Sequence, residues 1–122
     1  MNSKVLFVDD DPAWRNLAST SLQDAGYDVI TAQNATEAME KGQEVKLGLI
    51  ILDLNLAGES GLTLMKYLRH NYPDVPILLF TGMEHDDSTV SAMLEQGADQ
   101  YLRKGSTEEL IVTVGAYFRK SD

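Results

Sequence analysis

The sequence predicts an α/β fold, a doubly wound parallel five-stranded sheet with helices on both faces. Short apolar runs alternate with amphipathic helical patterns along the whole chain, and this alternation is typical of βα units joined by right-handed crossovers. The apolar runs have strand length, and several are apolar throughout, as in strands that are covered on both faces. Turn and cap residues separate the runs from the helical patterns.

Five apolar runs predict the five strands. The second run mixes polar and apolar residues, as a strand near a sheet edge does, whereas the fourth is uniformly apolar and is predicted to lie centrally. The predicted strands are residues 5–8, 27–31, 49–53, 75–80 and 100–102.

Each strand is followed by residues at helical spacing. Asp11 is a suitable N-cap, and Pro12 after it occupies the first helical position. Gly26 ends the first helix, Pro73 limits the third, and Asp86 is predicted to cap the fourth. The first, second, fourth and fifth predicted helices are residues 12–25, 35–43, 86–96 and 107–119. The third predicted helix carries Leu62, Met65 and Leu68.

Length and composition predict one soluble domain that spans residues 1–122. Ten basic and nineteen acidic residues give a net charge of −9, which disfavours binding to nucleic acid or to an anionic membrane because both require Lys or Arg. The chain has no cysteine, so disulfides and thiol chemistry are excluded. With no apolar stretch of about 20 residues and no secretory signal, we expect a cytoplasmic protein.

Acidic residues follow two of the predicted strands. Asp9, Asp10 and Asp11 come directly after the first strand, and Asp53 ends the third. Because ligands of such sheets bind beyond the carboxyl ends of the strands, we expect these carboxylates to converge. Clustered anions require a cation or a retained proton, and oxygen ligands without His or Cys favour Mg²⁺.

Three further residues follow the fourth and fifth strands. Thr81 offers a hydroxyl, Gly82 permits close approach of the backbone to an anion, and Lys104 supplies a compact positive charge. A carboxylate can act as a nucleophile that becomes an aspartyl phosphate. Together these residues are the components of an aspartyl-phosphate site.

Four motifs carry a resemblance to a known family. They are Val-Leu-Phe-Val-Asp-Asp-Asp (5–11), Leu-Ile-Ile-Leu-Asp-Leu-Asn-Leu-Ala-Gly-Glu-Ser-Gly (49–61), Pro-Ile-Leu-Leu-Phe-Thr-Gly (76–82) and Gly-Ala-Asp-Gln-Tyr-Leu-Arg-Lys (97–104). In this order, each at a strand end, they make nearly the whole chain resemble a response-regulator receiver domain of two-component signalling. The resemblance implies a flavodoxin-like (βα)5 fold with strand order 2-1-3-4-5.

The resemblance also implies roles for the acidic residues. Asp53 would accept a phosphoryl group from a histidine kinase or a histidine phosphotransfer protein. Asp10 would bind Mg²⁺ together with Asp53 and the main-chain carbonyl of Asn55, with Asp9 assisting directly or through water. The protein would be a phosphoacceptor with weak self-dephosphorylation rather than an enzyme.

The remaining implied roles concern switching. Thr81 and Lys104 would bind the phosphoryl oxygens, and Tyr101 matches the aromatic switch position whose rotamer follows Thr81. The face formed by helix 4, strand 5 and helix 5 would then change its contacts with an output domain, a downstream protein or a second copy in a phosphorylation-dependent dimer.

The sequence departs from the family pattern at two positions. Ala57 stands where proline is usual, and Gly105 follows Lys104 where the family has a cis proline. A cis bond without proline costs about 3–4 kcal/mol, so Lys104–Gly105 is expected to be either strained cis or trans with glycine absorbing the geometry. Met83 is expected to limit water access to the phosphoaspartate.

Other functions stay open at this stage. A degenerate receiver could act only as a protein-docking module, independent of phosphorylation. An aspartyl-phosphate phosphatase could use the first acidic run, although no cap domain fits the length. A flavin-binding protein is disfavoured because three aspartates repel phosphate.

Several single residues have simpler interpretations. Asp11 is expected to act as a cap, and Trp14 is expected to be a packing residue that could also report on the site by fluorescence. His70 and His85 are interpreted as solvated.

Overall fold

The computed structural model describes residues 3–56, 59–82 and 85–120, in which five parallel strands alternate with five helices. The strands are β1 (Lys4–Val8), β2 (Asp28–Ala32), β3 (Leu47–Leu52), β4 (Ile77–Thr81) and β5 (Gln100–Arg103), and the helices are α1 (Pro12–Asp24), α2 (Ala35–Gln43), α3 (Gly61–Asn71), α4 (Asp87–Glu95) and α5 (Thr107–Lys120). None of the described helices is long and apolar enough to span a bilayer.

The strand order is β2-β1-β3-β4-β5, and all four pairings are parallel. This confirms the predicted fold class and order. The mixed second strand lies at an edge, and the uniformly buried β4 lies inside the sheet between β3 and β5.

Each face of the sheet has its own hydrophobic core. Alternate residues of a strand point to opposite faces, so Leu6 packs with α2, α3 and α4 whereas Phe7 packs with α1 and α5. The large buried helix residues on the first face are Leu64, Met65, Leu68 and Met93, and those on the second are Leu22, Leu110 and Val114. The helices therefore cover both faces, as predicted.

The strand boundaries differ from the predicted ones by one or two residues. β3 begins at Leu47 and ends at Leu52, so Asp53 lies just beyond the strand rather than within it. β4 begins two residues later than predicted, after Pro76, and extends to Thr81. Proline cannot donate to a sheet ladder, which accounts for the later start.

The predicted turn after β3 contains a short antiparallel pairing of Asn55–Leu56 with Glu59–Ser60. Gly61 ends this segment and donates its N–H to the Leu54 carbonyl at 3.2 Å. A Cβ at position 61 would lie 2.5 Å from the Leu54 Cα, so only glycine fits without moving the backbone beside Asp53. Ala57 lies outside the described residues.

Side-chain caps begin the helices. Asp11 accepts the Ala13 N–H at 2.9 Å, and Asp86 accepts the Thr89 N–H at 2.8 Å. Both confirm predicted caps, because these oxygens satisfy N–H groups that have no partner within the helix. Asn34 and Ser60 cap α2 and α3 in the same way.

Arg69 joins three segments at the sheet edge opposite the acidic residues. Its guanidinium donates to the carbonyls of Gly97 and Val75 and pairs with Asp99. Asp99 in turn accepts the Ile77 N–H at 2.7 Å. One side chain on α3 therefore fixes the segments that lead into β4 and β5.

We expect Arg69→Ala to lower the free energy of unfolding by about 2 kcal/mol, because several charge-assisted hydrogen bonds are lost and carbonyls lose their donors. Urea denaturation measures the change. Lys66→Ala is the matched control, since Lys66 is an exposed cation on the same helix. An equal, small effect of both variants would contradict the bridging role.

Candidate functional site

The predicted site residues meet in one open cleft at the carboxyl ends of the strands. The cleft has a volume of about 380 Å³ and is lined by Asp10, Asp11, Trp14, Asp53, Asn55, Thr81, Gly82 and Lys104. Asp9 lies beneath it, fully buried. The residues come from the last residue of β4 and from the segments that follow β1, β3, β4 and β5, as the convergence of parallel strand ends predicts.

Asp9 is held by the sheet and by the first turn that follows it. Its N–H bonds to the Ala32 carbonyl at 3.0 Å, which continues the β1–β2 ladder. Its Oδ1 accepts the Asp11 N–H at 2.9 Å, and its carbonyl accepts from the Arg15 guanidinium at 2.8 Å. The Oδ2 atom remains to face the other site residues.

Asp53 is held in the same manner. Its N–H bonds to the Val8 carbonyl at 2.9 Å, and its Oδ1 accepts the Asn55 N–H at 3.1 Å. In both aspartates one oxygen accepts the N–H two residues later, a local pattern that suits Asp. Both carboxylates are thereby oriented with Oδ2 toward the fifth strand.

Lys104 lies between these two oxygens. Its Nζ is 2.6 Å from Asp9 Oδ2 and 3.1 Å from Asp53 Oδ2, and 9% of its side chain is exposed. Its backbone N–H donates to the Thr81 carbonyl at 2.8 Å. The lysine therefore links the ends of β4 and β5 to the acidic residues after β1 and β3.

The site has more negative than positive charge. Burial raises the pKa of Asp9, and the neighbouring Asp53 adds to that rise, although Lys104 and the Asp11 N–H oppose it. Burial acts to lower the pKa of Lys104, but the two carboxylates outweigh burial and the pKa is raised. The ammonium therefore stays charged at neutral pH, and among the described residues that line the cleft it is the one cation beside several carboxylates.

The acidic residues fit a divalent metal ion. Asp9, Asp10 and Asp53 each offer an oxygen, and these three atoms lie within 4.8 Å of one another. Asp9 Oδ2 is buried and, among the described residues, has an ion-pair contact but no well-aligned hydrogen bond. Hard oxygen ligands without His or Cys suit Mg²⁺. The structure brings together the three carboxylates predicted for this ion, with Asn55 at the cleft wall.

The two predicted switch residues lie on neighbouring strands, two positions apart in the ladder, because Thr81 pairs with Arg103 and Tyr101 pairs with Leu79. Thr81 is fully buried at the end of β4. Tyr101 on β5 is partly buried beside the core that α4 covers, and its ring contacts His85 edge to face at 5.7 Å. His85 is therefore partly buried, not solvated as expected, whereas His70 is exposed as predicted.

Gly105, which stands where the family has a cis proline, follows Lys104 through an ordinary trans peptide bond. No described peptide bond is cis, and Gly105 does not adopt positive φ. A Cβ at position 105 would meet no atom within 4 Å. The bond to Lys104 is therefore trans, and the lysine still points toward Asp53. Met83 lies outside the described residues.

Arg15 was not assigned to the site by sequence, and Trp14 was predicted to be a packing residue that could also report on the site. Trp14 lines the cleft in addition to packing against the core, and Arg15 fixes the Asp9 carbonyl. Both lie in the first turns of α1, whose start was predicted. Helix geometry places side chains three to five residues after the cap beside the preceding loop, so this spacing was an available signal.

The comparisons with known proteins agree with this geometry. The family model for the response regulator receiver domain matches residues 5–114. Alkaline phosphatase synthesis transcriptional regulatory protein PhoP of Bacillus subtilis is 38% identical over 123 residues, which cover 100% of this chain and 51% of that protein. The chain thus spans about half the length of the curated relatives it matches.

Two solved structures are also similar. A two-component response regulator from Clostridium difficile has a TM-score of 0.91 at 30% identity, covering 99% of each chain. A response regulator from Burkholderia pseudomallei, with a phosphorylated aspartic acid, a calcium ion and citrate, has a TM-score of 0.81 at 32% identity. That match covers 90% of this chain and 65% of the other.

We expect Asp9→Asn to raise the free energy of unfolding by about 1 kcal/mol at pH 7 in the presence of a chelator. The substitution removes a buried charge whose raised pKa shows that its surroundings disfavour ionisation, while Lys104 keeps Asp53 as a partner. Thermal denaturation measures the effect.

The same effect should depend on pH in a defined direction. Because the pKa of Asp9 is higher in the folded state than its ordinary value of 3.8, ionisation of this carboxyl destabilises the folded state when the pH is above the raised pKa. At pH values below 3.8 the carboxyl is protonated in both states, and the effect is absent. The advantage of Asp9→Asn should therefore shrink as pH falls from 7 toward 4. The control is Asp74→Asn, an exposed loop change. A larger stabilisation by Asp9→Asn at pH 4 than at pH 7 would contradict the predicted direction of the pH dependence.

Proposed function

Because the chain belongs to the response regulator receiver domain family, we propose that Asp53 accepts a phosphoryl group from a histidine kinase or a histidine phosphotransfer protein in a Mg²⁺-dependent reaction. One observation carries the proposal. The buried Asp53 carboxylate lies in the cleft with Lys104 on one oxygen and the Asn55 N–H on the other. A fixed nucleophile beside a fixed cation is what phosphoryl transfer requires.

The proposed reaction is a displacement at phosphorus. A carboxylate oxygen of Asp53 forms a bond to phosphorus while the bond from phosphorus to the donor imidazole nitrogen breaks. The electron pair of that bond stays on the imidazole, so no oxidant or reductant is required. Lys104 and the Thr81 hydroxyl would bind oxygens of the transferring group, where negative charge must be stabilised.

The charge at the site supports a requirement for metal. Asp9, Asp10 and Asp53 present three carboxylates, and Lys104 neutralises one of them. A phosphoryl group would add further negative charge to this cleft. Mg²⁺ held by the three aspartates and the Asn55 carbonyl would neutralise the carboxylates and the phosphoryl oxygens. The calcium ion and phosphorylated aspartic acid of the Burkholderia pseudomallei relative support this assignment.

We propose that Thr81 and Tyr101 transmit the conformational change caused by phosphorylation of Asp53. Thr81 would move toward the phosphoryl oxygen, and Tyr101 would follow on the neighbouring strand, where it lies two residues before Arg103, the partner of Thr81, and on the same face of the sheet. Because Tyr101 contacts His85 just before α4, the change would reach the face of α4, β5 and α5. That face would contact an output domain, a downstream protein or a second copy.

The domain is proposed to act as a phosphoacceptor with weak self-dephosphorylation, not as an enzyme with turnover. Its net charge of −9 argues against direct contact of this domain with nucleic acid. Several relatives are named as transcriptional or DNA-binding regulators, and such an output would require sequence beyond the matched half.

Intact mass after incubation with acetyl phosphate tests the proposal. We expect one phosphoryl group per chain with Mg²⁺, none with a chelator, and none in Asp53→Asn at either condition. Asp74→Asn, which changes an exposed aspartate, should behave as wild type. No addition to the wild type would favour a docking module. Donor turnover that survives Asp53→Asn but not Asp9→Asn would favour a phosphatase.

A second experiment separates phosphorylation from switching. Thr81→Val keeps the shape of the side chain but removes the hydroxyl, so phosphorylation of Asp53 should slow by about tenfold or more. The amide chemical-shift changes of β5 and α5 on phosphorylation should become smaller. Thr20→Val on the exposed side of α1 is the control. Unchanged shifts in Thr81→Val would contradict the role of Thr81.

A further inference from the structure

Trp14 is the single tryptophan of the chain and lines the cleft without being an acid, a base or a metal ligand. It lies in the first turn of α1, three residues after the N-cap Asp11. Its side chain is partly buried. Trp14 therefore contacts both the buried core and the cleft, whereas an ordinary packing residue contacts only the core.

On the core side, Trp14 is supported by a buried aromatic pair. Its ring meets Phe80 edge to face, with centroids 5.5 Å apart and planes at 88°. Phe80 in turn contacts Phe7 at 6.3 Å, and both phenylalanines are about 1% exposed. Such edge contacts fix ring orientation, so the indole is held from β1 and β4.

On the cleft side, Trp14 meets the ammonium of Lys104. The Nζ lies 5.3 Å from the ring centroid, within the range of about 6 Å in which the ring quadrupole attracts a cation. An ammonium has three N–H donors, and the ion pairs with Asp9 and Asp53 can use two of them. The indole is thus a third partner of the lysine.

We propose that Trp14 is a positioning residue that holds the Lys104 ammonium at Asp53 through a cation–π contact. During phosphoryl transfer the ammonium must exchange a carboxylate oxygen for a phosphoryl oxygen, so its ion pairs change. Its contact with the indole does not have to change, because the ring is fixed by Phe80.

Lys104 requires such support for a structural reason. Its side chain is long and flexible and loses considerable rotamer entropy when fixed. The following residue, Gly105, has no side chain, and a Cβ there would meet no atom within 4 Å, so this residue does not help to fix the lysine. The part of this role that concerns transfer rests on the proposed function, whereas the contact itself does not.

A double-mutant cycle on stability tests the contact without phosphorylation. Trp14→Leu, Lys104→Met and the double variant are compared by urea denaturation. The cycle subtracts the loss of packing on Phe80, because that loss is common to both backgrounds. We expect a coupling of about threefold to thirtyfold in the folding equilibrium constant. Trp14→Phe should retain part of it.

Lys66→Met supplies the matched control for this cycle, since Lys66 is an exposed lysine on α3. Its coupling with Trp14→Leu should be zero within error. Equal coupling for Lys104 and Lys66, or none for either, would overturn the proposal. The emission of Trp14 should also change in Lys104→Met and stay unchanged in Lys66→Met.

The rate of Asp53 phosphorylation by acetyl phosphate tests the consequence for transfer. Trp14→Leu should slow it by about threefold to tenfold, Trp14→Phe should restore much of the rate, and Trp14→Leu should add nothing in the Lys104→Met background. Full additivity of the two changes would overturn the positioning role. If wild type accepts no phosphoryl group, the proposed function fails, and the stability cycle still decides the contact.

Discussion

The ion pairs of one ammonium with two buried carboxylates are the interaction on which the rest of the site depends. Lys104 reaches Asp9 and Asp53 from the fifth strand, so the ends of β1, β3 and β5 are joined by charge. Buried carboxylates are unfavourable unless they are paired. Because a single cation serves both, the cleft retains an excess of negative charge that suits a divalent ion.

The parallel sheet makes this arrangement possible by fixing the backbone of each acid. Asp9 and Asp53 donate their N–H groups to the neighbouring strands, and each uses Oδ1 to accept an N–H two residues later. The carboxylates are therefore oriented before any ligand arrives. Such preorganisation lowers the reorganisation that a reaction at the site would require. The raised pKa of Asp9 indicates that holding its charge in this buried position costs folding stability.

The sequence predicted the fold and the cleft residues because strand ends are marked by an abrupt change from apolar to charged residues. Strand order came from family resemblance, since pairing is set by tertiary packing. Strand limits shifted by one or two residues, because β3 ends at Leu52, just before Asp53, and Pro76 delays the start of β4. The ring contacts of Trp14 with Phe80 and of His85 with Tyr101 depend on rotamers and on contacts between distant segments, which spacing alone does not encode. The trans bond before Gly105 was one of two expected geometries.

The Arg69 interactions have a consequence for how β5 can move. They hold Asp99, just before the strand, and Gly97, while the other end of the strand delivers Lys104 to the cleft. β5 is therefore held at its first end by the Arg69 interactions and at its other end by the ion pairs of Lys104. When the ion pairs of Lys104 change, the displacement of β5 should increase from Gln100 toward Lys104. The largest displacement is therefore expected near the start of α5.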